Sequence, residues 1–524
     1  MNCNLLNDPW LSVVFTDGRR GMLSLPELFP ALQQDTVEDF PALLPHQTHP
    51  WHAFLCQLAA MSLEGVDLPD YDPAAPTSLL GEDLPEIWRE RLCGLTADFP
   101  DDEPWRLLVE DLSKPAFMQP PVPEGSWEVF TRRNENRVEF PDELDVLICS
   151  KNHGEKNGRI IVNQAEFWIF ALLSLQTQGA YSGKFNYNIA RQNGGSASRA
   201  GVSLVSSPRV GGQWARDVRT ILTNSDWPLR GGLPFDTRQG DKLLWLQPWD
   251  GQTSLGIERL HPLFIEICRR VRLQAGPGKE IQAWRTGTRV TRVEADAFKG
   301  NLGDPWIPIR VKDGAAYNSR PHYRQIQKVL FDPAEYEPAL LQLPSDFDSE
   351  TLAVRFRFLV MGQSKTEGYY ERLVPVPARA RSWLTLSKRG DAAQTARDQM
   401  ELASAAQRKV LKPALLRLMQ AARSEVDFKQ KETGAWSDAC LEAMDRQVDQ
   451  EFFPYLWQCL ERKEAGEDAH AASLPWREYL AELARERFRQ AAQGLPVNSS
   501  QSYKALVLAE GMLKRLIKKH LEIF

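Results

Sequence analysis

No stretch of this chain approaches the roughly 18 consecutive apolar residues that a membrane-spanning helix requires, so no span is predicted. The seven cysteines (Cys3, Cys56, Cys93, Cys149, Cys268, Cys440 and Cys459) are scattered, with no C-x-x-C pair. That excludes a zinc knuckle and a disulfide framework, and predicts buried free thiols in a reducing compartment. The phosphate loop G-x-x-x-x-G-K-[ST], the nucleophile elbow G-x-S-x-G and the metalloprotease pattern H-E-x-x-H are all missing. There is no internal repeat and no low-complexity tract. The opening residues MNCNLLNDPWLSVVF lack the basic start and small-residue cleavage site of a secretory signal, so the cytoplasm is the expected compartment. With these patterns gone, no catalytic set assembles, and the chain reads as a recognition or scaffold protein.

What is present fits a large soluble protein. A length of 524 residues exceeds one hydrophobic core, and 43% apolar content is ordinary for a globular chain. The first part alternates short β-prone runs with turn residues, and LSVVFTDG followed by RRGMLSLPELF predicts a hairpin. Trp51–Leu63 is apolar all round and predicts a buried helix. A short helix is expected near Ile87–Leu92 and a strand over Leu144–Cys149. Asn163 is placed to cap a helix carrying Phe167, Phe170, Ala171, Ser174 and Leu175. Strands are predicted over Asp241–Gln247 and Thr351–Met361, where Leu352, Val354, Phe356 and Phe358 alternate with Arg355 and Arg357. Beyond about Leu386 strong helix formers dominate. Helices are predicted over Asp391–Val426 (kinked at Pro413), Ser437–Lys463, Pro475–Gln493 and Ser500–Glu522. The fold class is therefore α+β: a large mixed α/β domain over 1–385 followed by a four-helix bundle over 386–524.

The net charge of −6 conceals an asymmetry. Glu64–Asp111 holds fourteen acidic residues against three basic ones, whereas Tyr181–Arg230 holds seven basic against two acidic. Such separation steers an anionic ligand to one face. Within the basic part lies GKFNYNIARQNGGSASRAG, residues 183–201, with Lys184, Arg191 and Arg199 among asparagines, serines and glycines and with Phe185 and Tyr187 interleaved. Glycine permits close backbone approach, asparagine both donates and accepts, and the cations suit phosphate. A mobile polar loop would share this composition. Arg269–Lys299 adds eight basic residues, and the turn Gln363–Gly368 after the Thr351–Met361 strand could insert into a groove.

His49 and His52 have a metal-ligand spacing, with His46 upstream, but no cysteine or carboxylate is evident in sequence to complete a site, so no metal is expected. His153, in Lys151-Asn152-His153-Gly154-Glu155-Lys156, could act as a general base. A phosphodiesterase centred on it is the alternative from another functional class, although a loop that binds phosphate without chemistry fits better.

Several segments together resemble the large, CasA-type subunit of the type I-E CRISPR surveillance complex, Cascade. They are Asn4-Leu5-Leu6-Asn7-Asp8-Pro9-Trp10, Pro115-Ala116-Phe117-Met118-Gln119, the Gly183–Gly195 stretch, and Met361-Gly362 followed by Glu371-Arg372. The resemblance spans nearly the whole chain. It implies a protein of antiviral defence without enzymatic activity or cofactor, which recognises the protospacer-adjacent motif in double-stranded DNA and opens the strands. It also implies partners: guide RNA, target DNA, the backbone, small and guide-end-binding subunits, and a recruited helicase-nuclease. By position, Lys184, Phe185, Asn186, Tyr187, Asn188, Arg191 and Asn193 would form the motif-reading loop. Lys365 and Thr366, with Gln363, would form a strand-separating wedge, and Lys299 would enter the minor groove. Lys151, Asn152, His153, Lys156 and Arg159 would meet the guide RNA. A cysteine-rich metal-binding insert of some relatives is missing here, which leaves Cys268 alone and implies no zinc. The large subunit of a related type I variant is the nearest alternative.

Overall fold

The computed structural model describes residues 3–71, 77–80, 84–132, 136–147, 162–194, 198–278, 280–348, 352–362, 365–420, 426–494 and 500–523, with backbone alone for 361–362, 365–367, 432–433 and 500–502. The chain forms two compact units: residues 1–321 with 334–376, and residues 322–333 with 377–524. The first mixes helices and small sheets and the second is helical, as an α+β class requires.

In the first unit the helices Thr48–Ser62, Ala165–Gln178 and Val210–Thr223 pass through the core. The first two have little polar surface, so burial on nearly every side is their stable placement, whereas Val210–Thr223 buries Arg216 against Asp217 and Asp348. Aromatic rings join them: Trp51 lies 5.1 Å from Phe170 and 5.7 Å from Phe54, which meets Phe117 at 5.7 Å. Two buried indoles are fixed by hydrogen bonds, Trp105 donating to Thr96 at 2.9 Å and Trp88 to Gln33 at 3.0 Å. The expected hairpin is present, with Leu11–Phe15 antiparallel to Arg20–Leu23. The Leu352–Gly362 strand pairs on one side with Lys365–Val376 and on the other with Gly201–Val205, antiparallel in both cases.

Three local expectations change. Asn163 does not cap its helix; Gln164 does. The Asn163 amide instead accepts from Trp168 Nε1 and Ile281 N, both at 3.0 Å, and donates to Ile281 O at 2.6 Å, which ties the helix to a strand. Leu144–Cys149 is no strand over its described part; a 3₁₀ turn at Pro141–Glu143 leads into bends. Asp241–Gln247 is strand only to Leu243; a 3₁₀ turn over Leu244–Leu246 follows, with Leu244 and Trp245 buried.

The helical unit contains Arg389–Ala405, a π-helical turn at Ala406–Leu411, and Lys412–Met419. The disturbance predicted at Pro413 thus sits in the turn before it, where a proline ring crowds the carbonyl four residues back. Lys431–Glu464, Ala469–Gln493 and Ser500–Leu521 complete the long helices. Ala469–Gln493 starts earlier than Pro475 because the Asp468 carboxylate accepts from His470 N at 2.9 Å and Ala471 N at 3.0 Å. The Tyr323–Phe331 helix also belongs to this unit. Asp445 fastens it, accepting from Arg324 at 2.9 Å, Gln407 at 2.7 Å and Tyr323 OH at 3.2 Å, with His322 Nε2 at 3.1 Å.

Burial alone would raise the Asp445 carboxyl, but bonds from His322, Gln407 and Arg324 outweigh it and hold the group well below the carboxylate range. A depressed folded value means stability that is complete above the unfolded value, about 3.9, and lost as pH falls from there through the lower folded value. Asp445→Asn should therefore cost about 2 kcal/mol near neutral pH. It should also flatten the acid limb of the melting-temperature profile; an unchanged limb in a calorimetric pH series would refute the assignment.

Candidate nucleic-acid interface

The helix Ala165–Gln178 delivers the chain to a small ordered turn. Ile189 N donates to Gly179 O at 2.9 Å and closes its neck; Ser182 N donates to Asn186 O and Asn186 N to Gly183 O, both at 3.0 Å. Lys184 and Phe185 are exposed at its tip, and Asn186, Tyr187 and Asn188 are half-buried. Phe185 adopts φ 74°, a left-handed conformation unfavourable for a bulky residue. Its carbonyl accepts from Thr288 N at 2.9 Å, and Lys184 Nζ stands 5.1 Å from its ring centre. A strained backbone that displays an aromatic ring and a cation suits contact with a partner.

Arg191 and Arg199 do not face solvent, contrary to the expectation that they supply charge for phosphate. Their side chains are 2% and 3% exposed. Arg199 Nε donates to Asp304 Oδ2 at 2.7 Å, and Arg191 Nε lies 3.2 Å from the same oxygen. Arg191 also approaches Glu266 at 3.4 Å, while Ala190 N donates to the other Glu266 oxygen at 2.7 Å. Burial pulls the Arg191 guanidinium down and pushes the Glu266 carboxyl up, and each partly restores the other's charge. These arginines anchor the segment inside the protein. The acids they meet lie 75 and 105 residues away in sequence, a pairing that composition cannot reveal.

Asn193 is half-buried just beyond this anchor. Lys299 sits exposed at φ 50°, donating to Asp313 O at 3.3 Å. The next residue must be glycine: a Cβ on Gly300 would lie 2.6 Å from the Gln192 carbonyl carbon, at φ 82°. That close approach sets the Lys299 turn against the exit of the 183–194 segment.

The hairpin differs from expectation at its tip. Lys365 pairs directly with Gly362, and Thr366 with Met361, so both are already strand residues. The two residues between the strands, Gln363 among them, lie outside the described residues, as do Lys151, Asn152, His153, Lys156 and Arg159. The stem of the hairpin is well defined. Ser198 N and Oγ donate to Leu359 O at 3.4 and 3.0 Å, just before the chain enters the Gly201–Val205 strand. Gly201 leaves room for the buried His49 ring, which a Cβ there would approach to 2.6 Å. Burial drives His49 well below its ordinary pKa, reinforced by Arg199 and Arg357, so the ring is neutral.

A small apolar cluster gathers residues from the hairpin, from the start of the 180–189 turn and from the chain just before residue 148. Val146, Ala180 and Leu359 form it, with Leu147, Leu175 and Tyr369 packed alongside. Asp145, next to it, is held by His46 Nε2 and Gln47 Nε2, both at 2.6 Å, and by Leu147 N at 2.8 Å.

The structure also places ligand-type groups where the sequence suggested none. Cys56 Sγ and Asp217 Oδ2 lie 3.5 and 2.8 Å from His52 Nε2. Both Asp217 oxygens are engaged, however, the second by Arg216 and Gln213 at 3.0 Å. The guanidinium balances the carboxylate's charge, and the group reads as a tie between two helices. The helical spacing of His52 and Cys56 was the missed signal.

The family model of the CRISPR-associated protein Cse1 matches residues 4–487. Among solved structures, Cse1 from Acidimicrobium ferrooxidans aligns with a TM-score of 0.63 at 16% identity, over 100% of this chain and 99% of its own. CasA (Cse1) of Thermus thermophilus gives 0.62 at 15%, over 98% and 99%. Thermobifida fusca Cse1 gives 0.60 at 16%, over 99% and 98%. A chain titled as a CRISPR RNA-guided surveillance complex gives 0.56 at 15%, over 98% and 99%. No curated protein sequence matches. At these identities the structural likeness is one of fold.

The contrast between anchor and tip is measurable. Arg191→Ala strands buried carboxylates and should cost about 3–5 kcal/mol, whereas Lys184→Ala should stay within about 0.5 kcal/mol of the parent. Urea denaturation of both variants checks this, and equal midpoints would contradict the burial assignment.

Proposed function

The chain belongs to the CRISPR-associated Cse1 family of CasA-type large Cascade subunits, and on that premise we propose that it reads the protospacer-adjacent motif in duplex DNA and opens the strands for guide-RNA pairing, without catalysis of its own. The observation that carries this reading is the Val146–Ala180–Leu359 cluster, which ties together the stems of all three predicted contact segments. On this reading that frame would set the motif reader, the wedge and the guide-RNA contact beside one another.

The chemistry follows from the exposed groups. Lys184 and Lys299 supply charge for phosphates, which position the protein without reading sequence. Asn186, Tyr187 and Asn188 offer the donors and acceptors needed at base edges. The minor groove distinguishes mainly A·T from G·C, so a reader there tolerates several related motifs. Lys365 and Thr366 flank the hairpin end and would part the first base pairs. Residues 151–159 would lie against the guide RNA. Base pairing then reads the remaining target, a division of labour known from other RNA-guided effectors. The helical unit would pack on the backbone, small and guide-end-binding subunits, and the assembled surface would recruit the helicase-nuclease in the cytoplasm. Lys514, Arg515, Lys518 and Lys519 lie exposed on its last helix, a charge array suited to a displaced strand.

The test uses the subunit reconstituted with its Cascade partners and guide RNA, on guide-matched duplexes whose flank is first randomised to find the preferred motif. Replacing Lys184, Asn186 and Asn188 together with alanine should abolish motif-dependent binding in gel shifts while size exclusion shows intact assembly. Parent-like motif dependence would reject the site. Separately, Lys365→Ala with Thr366→Ala should permit docking but slow strand opening in permanganate footprinting. Opening at the parent rate would place the wedge elsewhere.

A further inference from the structure

We infer that Arg269 is the positioning residue of the motif reader: its guanidinium clamps the two legs of the 180–189 turn and thereby sets where Lys184, Asn186 and Asn188 stand. This rests on the motif-reading role proposed above. Arg269 Nη2 donates to Ala180 O at 2.7 Å, and Nη1 donates to Tyr187 O and, at 3.1 Å, to Cys268 O. One planar fork therefore holds the carbonyls at the start and end of the turn. Among the described residues its guanidinium meets only carbonyl oxygens and the Cys268 sulfur, with no carboxylate in ion-pair reach.

The clamp is itself fixed. The Gln176 amide is fully buried, and its Oε1 accepts from Cys268 N at 2.9 Å and Arg269 N at 2.8 Å. Its Nε2 donates to Arg269 O at 3.0 Å and Met118 O at 2.9 Å, so the amide's capacity is full. Position thus passes from the Ala165–Gln178 helix through Gln176 to the Arg269 backbone, and from its side chain to the turn. A second contact bears on the same turn from outside. Gly287 is exposed, and a Cβ there would lie 2.6 Å from Phe185 Cβ.

Charge and position are separable by substitution. Lysine keeps the charge but cannot span two carbonyls as a rigid fork, whereas glutamine removes the charge as well. If Arg269 positions the turn, Arg269→Lys and Arg269→Gln should both lower the preference for motif-bearing over motif-lacking duplex about tenfold, the loss of one base-edge contact. Neither should change the slope of affinity against salt. The amides of Ser182, Asn186 and Ile189 should exchange faster, with core amides protected as in the parent. Gly287→Ala, outside the core, should lower the preference too and keeps the test open if the Arg269 variants do not fold.

If Arg269→Lys retains the parent preference and Arg269→Gln loses about one unit of salt slope, the residue supplies field alone and the proposal fails. It fails equally if Arg269→Lys and Gly287→Ala both behave as the parent while the Lys184, Asn186 and Asn188 replacement abolishes motif dependence. Parent-like behaviour of that last variant would instead defeat the motif-reading role itself.

Discussion

Asp304 Oδ2 lies 2.7 Å from Arg199 Nε and 3.2 Å from Arg191 Nε, so one buried carboxylate joins residues 191 and 199. Arg269 does the same with carbonyl acceptors for residues 180 to 187. The glycine- and asparagine-rich segment is thus fastened by guanidinium groups at residues 191 and 199 and across the base of its 180–187 turn. Everything proposed for this member of the Cse1 family depends on that arrangement, because a loose segment of this composition would forfeit much of its binding energy to ordering.

The fastening explains why charged residues occupy an interior where apolar ones would cost less. Burying an ion pair rarely adds net stability over well-packed hydrocarbon. What a guanidinium adds is direction: its fork accepts only certain placements of oxygen. Arg191 also stacks 3.7 Å from the Phe264 ring centre and Arg199 lies 5.2 Å from that of Trp306, so the forks are held in plane by aromatic walls. The strand that follows, Gly201–Val205, pairs with Leu352–Gly362 and carries that placement to the hairpin.

The elements legible in sequence were those whose signal is local. Alternation of Leu352, Val354, Phe356 and Phe358 with two arginines found the hairpin strand, and helix formers with glycine and proline punctuation found the long helices. The Gly183–Gly201 segment, to which the proposal assigns recognition, also stood out by composition. Its internal division was not. Lys184 and Arg191 look alike in sequence, and only Glu266 and Asp304, brought from afar by the fold, turn one inward and leave the other at the surface. The same limit hid Asp445, which draws the Tyr323–Phe331 helix to the helical unit, and Asn163, whose amide completes a strand edge in place of capping a helix. The His52–Cys56–Asp217 tie escaped notice because its third member arrives on a different helix.

These misses share a direction, and it bears on function. Arg191 and Arg199, which sequence composition assigned to ligand contact and the fold withdrew, both pair with distant carboxylates. The groups left exposed at the tip are Lys184 and the Phe185 ring, with half-buried asparagines beside them. Lysine is a compact charge on a flexible stem and follows a phosphate wherever the backbone places it; arginine imposes geometry. A reader that must accept several related motifs gains from compliant charge outside and rigid forks inside. Exchanging the two would leave the same composition with a loose frame and inflexible tips. On the proposed reading, the placement of each cation, more than their number, would equip this surface to hold a duplex in one register while tolerating variation in the bases it meets.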